Sequence, residues 1–167
     1  MHRRAAGHAM TTKTSSATRK DLDELISIFA APNLKASVEE STWFVNCYFD
    51  YHHVLVAKAD GKIFGACFWR IEGERICGLG WIENIWVKET HRGKGIGEQL
   101  LSKAILDMKS FFDRGGGTLR KVILTTQESK QSARRLYEKV GFKNAAVVQE
   151  AYGPGDSDII YVLDVHD

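Results

Sequence analysis

The chain has 167 residues, a formal net charge of +2 and 26% charged residues. That fits one compact domain and leaves no global positive field of the kind that marks a nucleic-acid binder. Cys47, Cys67 and Cys77 are odd in number and lack Cys-x-x-Cys spacing, so neither a disulfide framework nor a zinc site is expected and a reducing cytoplasm suits them; apolar runs of only four or five residues are too short for a membrane span.

Residues 1–11 read as a flexible basic tail. Met1 to Lys20 hold five basic and no acidic side chains, and Arg3-Arg4 lacks the apolar stretch of a secretory signal. Residues 12–167 read as a single domain without repeats or linkers. A short opening strand is weakly marked within Thr11 to Ala17. Thr18 to Ala30 is predicted as a helix, with Leu22, Leu25, Ile26 and Phe29 on one face and a Thr18-x-x-Asp21 cap. Ser37 with Glu40 caps a second helix running to about Asp50. His52-His53 reads as a helix end rather than a ligand pair, because adjacent strand residues point to opposite faces.

Val54 to Ala59 and Lys62 to Ile71 are predicted strands joined by the hairpin signal Asp60-Gly61, and Trp81 to Val87 is a third. A helix then runs to about Phe112 and stops at Gly115-Gly116-Gly117. Val122 to Thr126 is a strand and Ser129 to Val140 a helix, with Gly141 placed as a left-handed cap. Asn144 to Gln149 and Asp158 to Val165 close the chain as a pair. The order is that of an α/β fold with a mixed sheet.

Between the third strand and its helix lies Arg92-Gly93-Lys94-Gly95-Ile96-Gly97. Glycines there let a bound group approach the backbone and permit dihedrals closed to other residues. The first helical N–H groups lack intrahelical partners and the helix dipole adds positive potential, so a phosphate or pyrophosphate fits, with full charges from Arg92 and Lys94. Glycines can also serve only a tight turn. The spacing is not Gly-x-Gly-x-x-Gly, since Gly95-x-Gly97 is followed by Leu100, and no Gly-x-x-x-x-Gly-Lys-Ser/Thr occurs. Dinucleotide folds and nucleotide triphosphatases are thereby disfavoured.

The loop resembles the Arg-x-x-Gly-x-Gly signature of the GNAT superfamily of N-acetyltransferases. Downstream, Ala133-Arg134-Arg135-Leu136-Tyr137-Glu138-Lys139-Val140-Gly141-Phe142 is similar to that family's Ala-x-x-Leu-Tyr-x-x-x-Gly-Phe segment. The resemblance implies a GNAT-like mixed, mostly antiparallel sheet of six to seven strands flanked by four helices. It implies acetyl-CoA as cosubstrate, held by Arg92, Gly93, Lys94, Gly95, Ile96 and Gly97 at the pyrophosphate and by backbone of Ile85, Trp86 and Val87 at the acetyl carbonyl and pantetheine. Ala133 and Lys130 would flank the pantetheine arm, although Lys130 stands where many members carry asparagine. Tyr137 would protonate the departing thiolate; on its helical face it also reads as an ordinary core residue.

An alkyl amine with a pKa of roughly 10.4 needs a base before it attacks a thioester. Glu83 is the single carboxylate inside the apolar strand Trp81 to Val87. Alternation places it on the face of Trp81, Ile85 and Val87, where desolvation would raise its pKa toward that of a useful base. The resemblance implies the same role, directly or through water. Nothing in the residues demands a metal. The expected acceptor is a small-molecule or peptide amine, without nucleic acid or membrane, and a homodimer is an allowed state. By family geometry the second helix and the turn Tyr152 to Asp156 would flank the acceptor groove, with Glu39, Glu40, Asp50 and Asp156 available to attract a cation. The alternative function is a non-catalytic acyl-CoA-binding regulatory domain, which would lack both the base and the acid.

Overall fold

A computed structural model describes residues 12–30, 37–151 and 153–165; the tail expected over 1–11 and Tyr152 lie outside them. The strands are β1 (Lys13–Ser16), β2 (His53–Ala59), β3 (Lys62–Glu72), β4 (Leu79–Val87), β5 (Lys121–Gln127), β6 (Lys143–Gln149) and β7 (Ser157–Asp164). They form one seven-stranded sheet in the order β1-β2-β3-β4-β5-β7-β6. Its β4–β5 neighbours run parallel, and the other pairs are antiparallel. Among the described residues four α-helices flank the sheet, α1 (Leu22–Phe29), α2 (Val38–Tyr51), α3 (Ile96–Arg114) and α4 (Gln131–Val140). The mixed, mostly antiparallel architecture is the expected one.

Local chemistry accounts for most boundaries. The Ser37 hydroxyl accepts the Glu40 N–H at 3.0 Å while the Glu40 carboxylate accepts the Ser37 N–H at 3.1 Å, closing the capping box at the start of α2. Asp60 and Gly61 both have positive φ, 49° and 74°, as the tight β2–β3 hairpin requires. At the end of α4 the Phe142 N–H reaches the Tyr137 carbonyl at 3.0 Å across a left-handed Gly141. The first helix differs from the sequence reading: Arg19–Asp21 make a 3-10 turn and the α-helix begins only at Leu22. There the Asp21 carboxylate turns back to accept the Thr18 N–H at 2.8 Å, tightening the entry.

Two cores lie on the two faces of the sheet. α1 and α2 cover one, packing Leu25, Phe29 and Val45 on Val54, Val56, Ala66 and Phe68. α3 and α4 cover the other, packing Leu100, Leu101, Ala104, Met108 and Tyr137 on Leu55, Cys67, Trp69, Ile82, Val122 and Leu124. No helix among the described residues is long and apolar enough to cross a membrane.

Candidate active site

The site is organised by an irregularity in β4. Pairing with β3 runs Ile85 to Cys67 and Asn84 to Phe68, then jumps to Ile82 opposite Trp69, so Glu83 is a bulged residue without a partner across the ladder. A bulge reverses which face each residue takes. Ile82 packs into the α3–α4 core, and so do Ile85 and Val87, whereas Trp86 packs against the α1–α2 core. Glu83 meets Tyr48 of α2 and Arg70 of β3. The expected sharing of a face holds for Trp81, over whose ring the Arg70 guanidinium lies at 5.4 Å. It fails for Ile85 and Val87, because alternation assumes uninterrupted pairing.

Glu83 is also not a bare carboxylate in an apolar wall. Its side chain is 22% exposed and ion-paired to Arg70, which bridges to Glu72 as well. The Tyr48 hydroxyl donates to Glu83 at 3.5 Å. Burial first, and then the Glu83 charge, push the Tyr48 phenol well up, so it stays protonated and remains a donor. Sequence reasoning missed both partners. Arg70 carried a signal, as the one cation closing the run Ile63 to Trp69; Tyr48 is one aromatic among several on α2 and carried none.

The parallel ladder between β4 and β5 begins at Leu79 with Lys121 and ends at Ile82 with Leu124. β4 continues to Val87 and β5 to Gln127, with β5 turning its pairing to β7 alone. From Glu83 to Val87 the edge of β4 facing β5 is therefore open, and backbone donors and acceptors there have no strand to pair with among the described residues. The gap is where the two faces of the sheet communicate, with Glu83 on the α1–α2 side and Tyr137 on the α3–α4 side.

β4 leads through a 3-10 turn at Glu89–His91 into the glycine loop. The Arg92 Nε–H donates to the Val87 carbonyl at 3.2 Å and ties the loop to the strand end. Gly93 and Gly95 have φ of 73° and 80°, and a Cβ on either would meet nothing within 4 Å. Gly95 caps α3 without any side-chain acceptor, so the first-turn N–H groups remain unspent beside open space. This fits a pyrophosphate. Gly97 has a packing part as well: its φ is not positive, and a Cβ there would lie 2.8 Å from Leu136 Cδ2, so it lets α4 approach α3. Lys94 is exposed and Ile96 is buried in the core.

The same approach brings Tyr137 beside the loop helix. Its ring is 5% exposed and packs on Phe142 and Tyr161. Burial pushes its phenol above the usual range with no hydrogen bond contributing, so it is protonated at neutral pH. Ala133 packs at the edge of the α3–α4 core. Lys130 is exposed and its carbonyl accepts the Ala133 and Arg134 N–H groups, each at 3.1 Å. Three acidic residues considered for the acceptor groove already have partners: Glu40 in its capping box, Asp50 on Arg19 at 2.5 Å, and Asp156 on the Ser129 hydroxyl at 2.5 Å. No group of three or more metal-ligating side chains occurs among the described residues.

Gap, open strand edge and uncapped helix start together have the chemistry to suit an extended molecule carrying phosphate. The chain belongs to the GNAT acetyltransferases: the model of the acetyltransferase (GNAT) domain matches residues 50–144, more than half of it. It is 29% identical over 147 residues to an N-alpha-acetyltransferase of Sulfurisphaera tokodaii, covering 81% of this chain and 83% of the relative. It is 26% identical over 153 residues to a Bacillus subtilis protein described as a candidate ribosomal protein bS18-alanine N-acetyltransferase, covering 89% of this chain and 94% of that one. Among solved structures it superposes on a GNAT acetyltransferase of Streptococcus pneumoniae with a TM-score of 0.74 at 22% identity, over 93% of this chain and all of the other. The protein is an N-acetyltransferase of this family, whose members generally draw on acetyl-CoA.

Proposed function

We propose that this enzyme moves the acetyl group of acetyl-CoA to a primary amine by direct attack, and that the preferred acceptor is the α-amine of a peptide or protein. The observation that carries the reading is the open edge of β4 from Glu83 to Val87 running on into the uncapped start of α3. That line of backbone donors suits a pantetheine arm followed by a pyrophosphate. Residues Ile85 to Val87 hold the arm and the acetyl carbonyl, whose developing oxyanion needs fixed N–H donors. Arg92, Lys94 and the N–H groups at Gly93, Gly95, Ile96 and Gly97 hold the phosphates.

Glu83 takes the proton from the attacking amine, through a water, and Tyr137 returns one to the departing thiolate. The two groups approach from opposite faces of the sheet, so base and acid reach the tetrahedral intermediate from different directions. The names of both relatives support an α-amine acceptor. So does the chemistry: an α-amine of pKa roughly 7.7 is about one-sixth neutral at pH 7, whereas an alkyl amine of pKa roughly 10.4 is almost wholly protonated. An ion-paired carboxylate suits the milder task.

Release of coenzyme A, measured with acetyl-CoA and a panel of amines, tests the proposal. Peptides with a free N-terminus should give a higher kcat/KM than the same peptides blocked at the N-terminus but carrying lysine, and higher than a polyamine. A preference for the polyamine overturns the acceptor class. Release that no amine accelerates overturns the transfer itself.

A further inference from the structure

A cavity of about 420 Å³ lies between the C-terminal turns of α3 and the start of β2. Its wall residue Asp107 is twelve residues along α3 from Gly95, which puts the cavity roughly 18 Å from the glycine loop. Trp69 lines it, is 2% exposed, and has a buried indole N–H without a partner among the described residues. A second lining residue, His52, likewise has a buried Nδ1 without a partner among them. Two unspent polar atoms on one wall are unusual, since buried polar groups are nearly always paired.

The remaining lining groups set the polarity. Trp69 Nε1–H and the Arg114 guanidinium only donate, and the Ser110 hydroxyl can donate. Arg114 is exposed and has no ion pair among the described residues. The carboxylate of Asp107 is engaged by Lys103, which offsets the one negative charge on the wall. Burial holds both His52 and His53 below the ordinary imidazole range, so neither adds charge at neutral pH and Arg114 supplies the net cation. Flat apolar surface comes from Phe49, Phe111 and the His53 ring, which is stacked on Trp69 at 3.9 Å and 14°.

We infer that this cavity is a second ligand site, separate from the acetyl-CoA site, for a small organic carboxylate with a flat apolar body. The carboxylate pairs with Arg114 and takes the Trp69 N–H, while the body lies between the aromatic side chains. A neutral or cationic analogue of the same shape leaves those donors unspent and binds poorly.

Titration of the full chain with phenylacetate, followed by the indole N–H resonances, tests the inference. The Trp69 resonance, identified by its loss in Trp69→Phe, should shift saturably, and benzyl alcohol and benzylamine at equal concentration should leave it in place. Arg114→Gln changes an exposed side chain and should leave the fold intact. It should weaken phenylacetate by about tenfold or more, as loss of a charge-assisted pair does, with acetyl-CoA affinity unchanged. Absence of a saturable shift, equal binding of benzyl alcohol, undiminished binding by Arg114→Gln, or competition between phenylacetate and acetyl-CoA each overturns it. If Trp69→Phe fails to fold, the Arg114→Gln comparison and the two analogues decide by calorimetry.

Discussion

Glu83 owes its direction to the bulge. Without the extra residue it would face α3 alongside Ile85 and Val87, away from Tyr48 and Arg70. Glu83→Gln keeps the shape but cannot accept a proton. With an alkyl amine at pH 7, turnover should fall by about 10²- to 10⁴-fold, the usual contribution of a general base. The loss should shrink as pH rises toward the amine pKa, and it should be smaller for a peptide α-amine that is already partly neutral. A pH–rate profile parallel to the parent, with turnover reduced less than about threefold against that expectation, removes Glu83 as the base; Glu72 at the end of β3 and Glu74 just beyond it are then next to test.

Tyr137 offers a cleaner separation of binding from chemistry. Burial keeps it protonated, and Tyr137→Phe retains the ring packed on Phe142 and Tyr161. Turnover should fall while acetyl-CoA affinity by calorimetry stays near the parent value. Unchanged turnover, with chemistry shown to limit the rate, returns Tyr137 to the core.

At the scale of the element, glycines in one loop do two jobs. Gly95→Val places a branched side chain at φ 80° in otherwise open space. It costs at least about 1–2 kcal/mol of backbone strain and should abolish acetyl-CoA binding by crowding the helix start. Gly97→Val drives a methyl against Leu136 and should lower stability by about 1–3 kcal/mol, as overpacking does. Denaturant unfolding and calorimetry on both variants check this. Parent-like affinity in Gly95→Val sinks the phosphate loop, and parent-like stability in Gly97→Val sinks the packing account.

The same contrast explains what the sequence could disclose. The Ser37–Glu40 capping box, the Asp60-Gly61 hairpin and the Gly141 cap are set by dihedrals and hydrogen bonds within a few residues, so residue types alone revealed them. The bulge at Glu83 is a property of how β4 meets β3. The partners Tyr48 and Arg70 arrive from elements 35 and 13 residues away, and the contact of Gly97 with Leu136 joins two helices. Periodicity sees a strand as evenly paired, so it singled out Glu83 and misjudged part of its company.

For the molecule as a whole, acid should act in two stages. His52 and His53 are held below the ordinary value of 6.5, chiefly by burial. Below that pH the unfolded chain binds more protons than the folded one, so stability is full above pH 6.5 and falls as pH drops through the folded values. Burial alone would raise Asp21, but its bonds from Lys58 and Thr18 outweigh that and hold it below 3.8. Its contribution is present above pH 3.8 and is lost as pH falls further. Denaturant midpoints measured from pH 8 to pH 3 should show both declines; a flat profile between pH 7 and pH 5 rules out the histidine stage.

The short ladder between β4 and β5 also bears on how the molecule is assembled. Hairpins join β2 to β3, β3 to β4 and β6 to β7, whereas β4 meets β5 in parallel, from Leu79 with Lys121 to Ile82 with Leu124. Antiparallel hairpins close small loops, whereas a parallel join must wait for the whole crossover through α3, at a greater entropic cost. The hairpin-linked strands therefore gather first, and this seam knits later, with the other long-range joins β1–β2 and β5–β7. Where the chain closes one of its longest loops is thus also where the folded enzyme stays unzipped, and the gap proposed for catalysis is the end of that seam left open.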